Sequence, residues 1–176
     1  LTAAVAIKLG DRGTVFFRQS REGRDGECFQ ILKLRTMIHG ADRERKNLRT
    51  EGMHSKSSGM LKIKEDPRIT KTGRFLRNSS IDEIPQLWNV LVGDMSLVGP
   101  RPLPLDEACQ IDDGFSARKR VRPGITGPWQ VMGRSDIPME DMVKLDYTYV
   151  VGWTLMEDFR VLLRTASAVF GRKGVY

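Results

Sequence analysis

Residues 14–19 and 28–37 read as two strands. The turn-forming run Glu22-Gly23-Arg24-Asp25-Gly26 between them predicts an antiparallel hairpin. In the second strand Phe29, Ile31, Lys33 and Arg35 share one face by the period of two, so an apolar face ends in two cations. Residues 40–60 are polar and charged; a helix is expected over 41–48 and a loop over 51–59. Ile84, Leu87, Trp88 and Leu91 then recur at helical spacing. The serine and acidic residues just before that stripe are helix-start signals. Pro85 is tolerated only near a start, where its missing N–H costs nothing. Asp82 and Glu83 are therefore expected at or beside a helix N-terminus. Residues 93–104 form a Gly/Pro loop around Gly99-Pro100-Arg101-Pro102, and Pro123-Gly124-Ile125-Thr126-Gly127-Pro128 is a turn cluster. Two helices are expected to finish the chain. The last carries an apolar stripe of Trp153, Met156, Phe159, Leu162, Leu163, Ala166 and Phe170, which reads first as core. Its Trp and basic flanks also suit a helix lying on a lipid headgroup layer. With no internal repeat and no linker, the pattern gives one α+β domain, mostly helical, with a small antiparallel β-hairpin.

A length of 176 residues is enough for one real core. The net charge of +7 changes the picture more, because it asks for an anionic partner such as phosphates or an acidic membrane surface. Arg118-Lys119-Arg120 has no interleaved aromatics and no nucleic-acid motif, so it reads as a solvated or membrane-facing charge run, and no nucleic-acid partner is expected. The two cysteines, Cys28 and Cys109, lie in no CxxC or zinc spacing, and a reducing compartment is the simpler reading. His39 and His54 are isolated, which disfavours a metal centre or a hydrolase triad built on them. No Walker loop or GxGxxG is present. No run of about twenty apolar residues exists to cross a bilayer as a helix. Residues 1–7 are apolar but short, and read either as a buried helix end or as the tail of a preceding segment.

The Asp82-Glu83 pair is the sharpest chemical feature. A helix N-terminus favours negative charge, so a carboxylate there stays ionised as a nucleophile or metal ligand must. Two adjacent carboxylates can also hold one Mg2+ whose shell is completed by water and substrate phosphate. Taken alone, an acidic pair at a helix start is more often a cap. The cations around it shift the balance. Arg74 and Arg77 precede it, Arg101 sits in a rigid loop and Lys33 ends a strand face. Cations converging on a dyad suit phosphoryl transfer, which works by positioning and charge stabilisation.

Several ordered blocks then resemble one family. They are Phe16-Phe17-Arg18-Gln19 with Gly23, Gly26 and Phe29; Lys33-Leu34-Arg35-Thr36-Met37; Asp66-Pro67-Arg68-Ile69-Thr70; the run from Gly73-Arg74 through Ser80-Ile81-Asp82-Glu83 to Leu97-Val98-Gly99-Pro100-Arg101-Pro102; and Arg122-Pro123-Gly124-Ile125-Thr126-Gly127 with Trp129-Gln130-Val131. Over almost the whole chain this resembles the bacterial sugar transferases, the monotopic polyprenyl-phosphate phosphoglycosyl transferases. The resemblance implies that residues 1–176 form a phosphoglycosyl transferase catalytic domain. Its substrates would be a UDP-sugar and undecaprenyl (polyprenyl) phosphate. Asp82 would be the nucleophile, Glu83 its partner toward Mg2+, and Lys33, Arg77 and Arg101 the phosphate-binding cations. Pro102 and Asp158 match supporting positions. It also implies an N-terminal re-entrant membrane helix, missing from this chain except for a remnant at residues 1–7, and a place at the cytoplasmic face of the bacterial inner membrane. Homo-oligomerisation is compatible with the pattern. Leu34 stands where Phe is common, a mild change.

Overall fold

The hairpin forms where the turn signal places it. Strands β1 (Phe16–Glu22) and β2 (Cys28–Leu34) pair antiparallel, from Phe16 opposite Leu34 to Glu22 opposite Cys28. The turn takes left-handed backbone at Asp25 (φ 55°) and Gly26 (φ 81°), residue types that enter that region at low cost. The computed structural model describes residues 2–41, 66–111, 113–132 and 138–170. The helix and loop expected over 41–48 and 51–59 lie almost wholly outside them.

Regular pairing of β2 stops at Leu34, short of the expected Met37. Beyond it the chain stays extended: the Arg35 N–H donates to Val15 O at 2.8 Å, and Met37 bridges Ile69. The expected turn at Asp66-Pro67 carries a buried, doubly bonded ion pair, Arg68 Nη2 to Asp66 Oδ2 at 2.6 Å and Nε to Oδ1 at 2.9 Å. Helix α1 (Thr2–Asp11) packs on α2 (Lys71–Asn78) and buries Ile7. No helix among the described residues is long and apolar enough to cross a membrane.

Helix α3 (Gln86–Leu91) turns polar residues inward. Its apolar stripe, Leu87, Trp88 and Leu91, is exposed, while Gln86 and Asn89 are buried. The cause is the open edge of β2, whose backbone groups need partners. Asn89 supplies them: its Oδ1 accepts from the Leu32 N–H at 3.0 Å, and its Nδ2 donates to Gln30 O at 2.9 Å and to Asp94 Oδ2 at 3.1 Å. One amide thus takes the place of a third strand. Asn89→Leu, close in volume, should cost about 1–3 kcal/mol, the penalty for leaving buried backbone groups unbonded. Urea unfolding measures this, and an unchanged midpoint would deny Asn89 the role.

The Gly/Pro loop and the turn cluster contain a feature that hydrophobic periodicity cannot show. Strand β3 (Ser96–Val98) pairs in parallel with β4 (Gly124–Thr126). Main chain meets main chain here. A Cβ on Gly124 would sit 2.2 Å from Gly99 N, and one on Gly127 would sit 2.3 Å from Gly99 O. Between β3 and β4 lie α4 (Leu105–Ala108) and a 3-10 helix (Asp113–Arg120). After β4 come α5 (Pro128–Met132), α6 (Met139–Val151) and α7 (Leu155–Phe170). The core forms under them, with Leu103, Ala108, Trp129, Met142 and Val143 in one cluster and Val98, Tyr149 and Val161 in a second.

The two final helices are present as expected, but reading the last as core is corrected. In α7 Val161 is buried, whereas Leu155 is 76% exposed, Phe159 57% and the preceding Trp153 56%. The stripe is real but faces away from the core. Apolar surface gathered on a helix in this way marks a contact surface rather than packing.

Candidate active site

Three elements converge on the Asp82-Glu83 pair. Strand β2 brings Lys33, α2 brings Arg77 in its last turn, and the loop after β3 brings Arg101. The pair itself is expected at a helix start and stands just before one. Ile81–Glu83 form a single 3-10 turn, and α3 begins after Pro85. Ser80, which opens the turn, has left-handed backbone (φ 56°). A non-glycine residue held there is strained, and such strain persists where the surroundings fix it.

Glu83 and Asp82 are adjacent in sequence but differ in chemistry. Lys33 Nζ donates to Glu83 Oε1 at 2.7 Å, and Arg101 Nη2 reaches the same oxygen at 3.3 Å. Burial alone would raise the Glu83 pKa, but the charges and hydrogen bonds of Lys33 and Arg101 outweigh it and hold the carboxyl down to about 2. Lys33 is itself lowered by burial, against the attraction of Glu83. Asp82 is only 8% exposed, and no hydrogen bond engages its carboxylate among the described residues. Burial pushes its pKa up to about 6, with Glu83 adding to the rise while Lys33, Arg77 and Arg101 oppose it. Neighbouring groups whose pKa values are driven apart are a mark of divided chemical roles. Glu83 is an anion fixed by two cations, and Asp82 is a poorly solvated carboxylate with no hydrogen-bond partner among the described residues.

The five principal site residues therefore gather: Lys33, Glu83 and Arg101 by direct contact, Arg77 and Asp82 through their charges. The two supporting positions act elsewhere. Pro102 is buried, and its carbonyl accepts from Arg21 Nη1 at 3.1 Å, tying the Arg101 loop to β1. Asp158 accepts from Tyr149 Oη and, at 3.1 Å, from Trp153 Nε1, which locks the corner between α6 and α7.

Several contacts around the site were not singled out by sequence reasoning. Arg101 lies over the Trp129 ring, 6.0 Å from its centroid, at the outer range of a cation–π contact. Its backbone carbonyl accepts from Arg118 Nη2 at 2.7 Å. Arg118 was read as part of a solvated or membrane-facing charge run, yet it is 6% exposed and pairs with fully buried Asp146 at 3.5 Å. Lys119 meets Glu22 at 3.0 Å. A lysine- and arginine-rich run gives no sign of which member turns inward. The hint available was Asp146, which falls on one helical face with Met142, Val143 and Tyr149.

The donor set also limits the metals that fit. No group of three or more His, Cys, Asp and Glu side chains gathers among the described residues. Two carboxylates, one with an oxygen committed to Lys33 and Arg101, suit a hard cation that completes its shell with water and phosphate oxygens. They do not suit a closed structural zinc site.

A buried carboxylate beside three cations on a small α+β scaffold is an arrangement that can serve phosphoryl transfer. The comparison with known sequences is sharper: the family model described as bacterial sugar transferase matches residues 1–172, and the chain belongs to that family. It is 42% identical over 168 residues to the undecaprenyl-phosphate galactose phosphotransferase of Salmonella typhimurium, covering 94% of this chain and 35% of that protein. It is 40% identical over 188 residues to the UDP-glucose:undecaprenyl-phosphate glucose-1-phosphate transferase of Caulobacter vibrioides, covering 100% and 64%. It is 37% identical over 172 residues to the exopolysaccharide production protein ExoY of Sinorhizobium fredii, covering 97% and 76%. The chain thus spans about a third of the length of the Salmonella relative.

Proposed function

We propose that this domain transfers a sugar-1-phosphate from a UDP-sugar to undecaprenyl (polyprenyl) phosphate, the opening step of exopolysaccharide, capsule or O-antigen assembly. An Asp82 carboxylate oxygen attacks the sugar-bearing phosphorus. The bond from that phosphorus to the bridging oxygen breaks, UMP leaves, and the phosphosugar stays on Asp82 as a mixed anhydride. A phosphate oxygen of the polyprenyl acceptor then attacks the same phosphorus. The Asp82 carboxylate is released and the sugar departs on a polyprenyl diphosphate. Splitting one displacement into two is ordinary covalent catalysis.

The observation that carries this reading is the contrast within the dyad. Glu83 is pinned by Lys33 and Arg101, while Asp82 is buried and free of hydrogen bonds among the described residues. Lys33, Arg77 and Arg101 would take the diphosphate charge. Asp82 and Glu83 would hold Mg2+, which when bound supplies further neutralisation of the diphosphate. The relatives' names mention undecaprenyl phosphate, and the exposed apolar faces of α3 and α7 suit a domain working against lipid. The cytoplasmic face of the inner membrane is the side where nucleotide sugars are present.

The test is an intact mass of the full-length, membrane-embedded protein after incubation with Mg2+ and individual UDP-sugars, without acceptor. A gain equal to one phosphosugar supports the covalent route and names the sugar. An unchanged mass with every donor, while UMP is still released on adding acceptor, would replace that route with direct transfer.

A further inference from the structure

Arg77 leaves the last turn of α2 with its Nε donating to Thr36 Oγ1 at 2.9 Å. Thr36 lies just past β2, three residues after Lys33, and is 7% exposed. Much of the local packing serves this meeting. The Thr36 carbonyl accepts from the Thr70 N–H at 3.0 Å and from Thr70 Oγ1 at 3.3 Å. Thr70 also caps α2, its Oγ1 accepting from the Gly73 N–H at 2.9 Å. Gly73 is required because a Cβ there would lie 1.9 Å from Thr36 O. The first turn of α2 is thereby pressed onto the Thr36 backbone, and Arg77, one turn further along the helix, is brought back over the Thr36 side chain.

We infer that Thr36 is a positioning residue for Arg77, its hydroxyl fixing the guanidinium so that the remaining N–H groups face Asp82 and the phosphate it attacks. A guanidinium is a rigid planar fork, so anchoring Nε sets the direction of both Nη atoms. The extended segment that follows β1 therefore serves both members of the dyad: Lys33 contacts Glu83, and Thr36 orients the cation beside Asp82. A backbone acceptor could have held Arg77 equally well in energy. A side-chain hydroxyl makes the anchor depend on residue type, which makes it testable. The inference rests on the proposed reading of Arg77 as a phosphate-binding cation.

The experiment compares Thr36→Val, Thr36→Ser, Arg77→Ala and the Thr36→Val/Arg77→Ala pair in the full-length protein in membranes, with kcat/KM for the UDP-sugar as readout. Valine keeps the shape and β-branch but removes the acceptor; serine keeps the acceptor and loses the methyl. Thr36→Val should lower kcat/KM about tenfold, the scale of one hydrogen bond to a charged group. Thr36→Ser should stay within about twofold of wild type, the conservative change conserving the hydroxyl. In the Arg77→Ala background Thr36→Val should cost nothing further, because its effect passes through Arg77. If valine is not accommodated, Thr36→Ala removes the same hydroxyl and makes the same comparison. Wild-type kcat/KM in the hydroxyl-free variant, equal loss in the serine variant, or losses that multiply in the double variant would each overturn the inference. Wild-type kcat/KM in Arg77→Ala would instead overturn the reading of Arg77, and this inference with it.

Discussion

Asp82→Asn should abolish turnover while leaving the fold intact or more stable. Asparagine keeps the shape of the side chain but cannot form a phosphosugar anhydride. Loss of a nucleophile lowers kcat by roughly four orders of magnitude or more. The stability half of this expectation follows from the same burial. Asp82 is 8% exposed and its pKa is pushed up to about 6, above the ordinary 3.8, so holding it ionised at neutral pH costs folding energy. A neutral amide avoids that cost. In chelator-treated protein at pH 7.5 or so, thermal unfolding of Asp82→Asn should therefore occur at or above the wild-type midpoint. An inactive variant with a much lower midpoint would point to a structural role, and a variant with wild-type turnover would remove Asp82 as nucleophile.

Arg118→Met should be the most destabilising single change away from the dyad, with a deficit that depends on pH. Arg118 is the charge partner of Asp146, which is fully buried and makes no hydrogen bond of its own among the described residues. Burial raises the Asp146 pKa to about 7, and Arg118 partly opposes this. Because the folded pKa lies above the unfolded one, the contribution of Asp146 is fully present below about pH 4 and is lost as pH rises through 7. Without Arg118 the folded pKa climbs further, so the loss continues to higher pH. At pH 5 the carboxyl is protonated in both proteins and the deficit should be modest. Above pH 8 it should approach about 3–5 kcal/mol, the cost of stranding a buried charge. Denaturant unfolding across that range measures it. A deficit independent of pH would mean that Arg118 acts through packing and its bond to the Arg101 carbonyl, not through Asp146.

What the sequence disclosed depended on whether the information was local. The hairpin and the two final helices were legible because turn residues and apolar spacing lie within single elements. The dyad and its cations were legible because ordered motif blocks surround them. The direction in which α3 and α7 face was not. An apolar stripe states that a face will be covered, not by what, and Asn89 turned α3 over by answering the open backbone of β2. Pairing of β3 with β4 escaped because strands this short, joined through glycine, carry no periodicity. Arg118 was hidden among charged neighbours, since only the fold tells it apart from Lys119 and Arg120. Thr36 belonged to a block that could be quoted, but the reason for a hydroxyl there required the position of Arg77.

The seam at Gly99, Gly124 and Gly127 has a mechanical consequence. Where side chains touch, a change of rotamer can absorb a small displacement. Where main chain abuts main chain there is nothing to rotate, so the separation of Gly99 from β4 is fixed by backbone contact. β4 is joined in turn to α7 by the hydroxyls of Thr126 and Thr165, 2.7 Å apart. The helix that shows its apolar side outward and the cation that grips Glu83 are thus joined by one short, continuous chain of contacts.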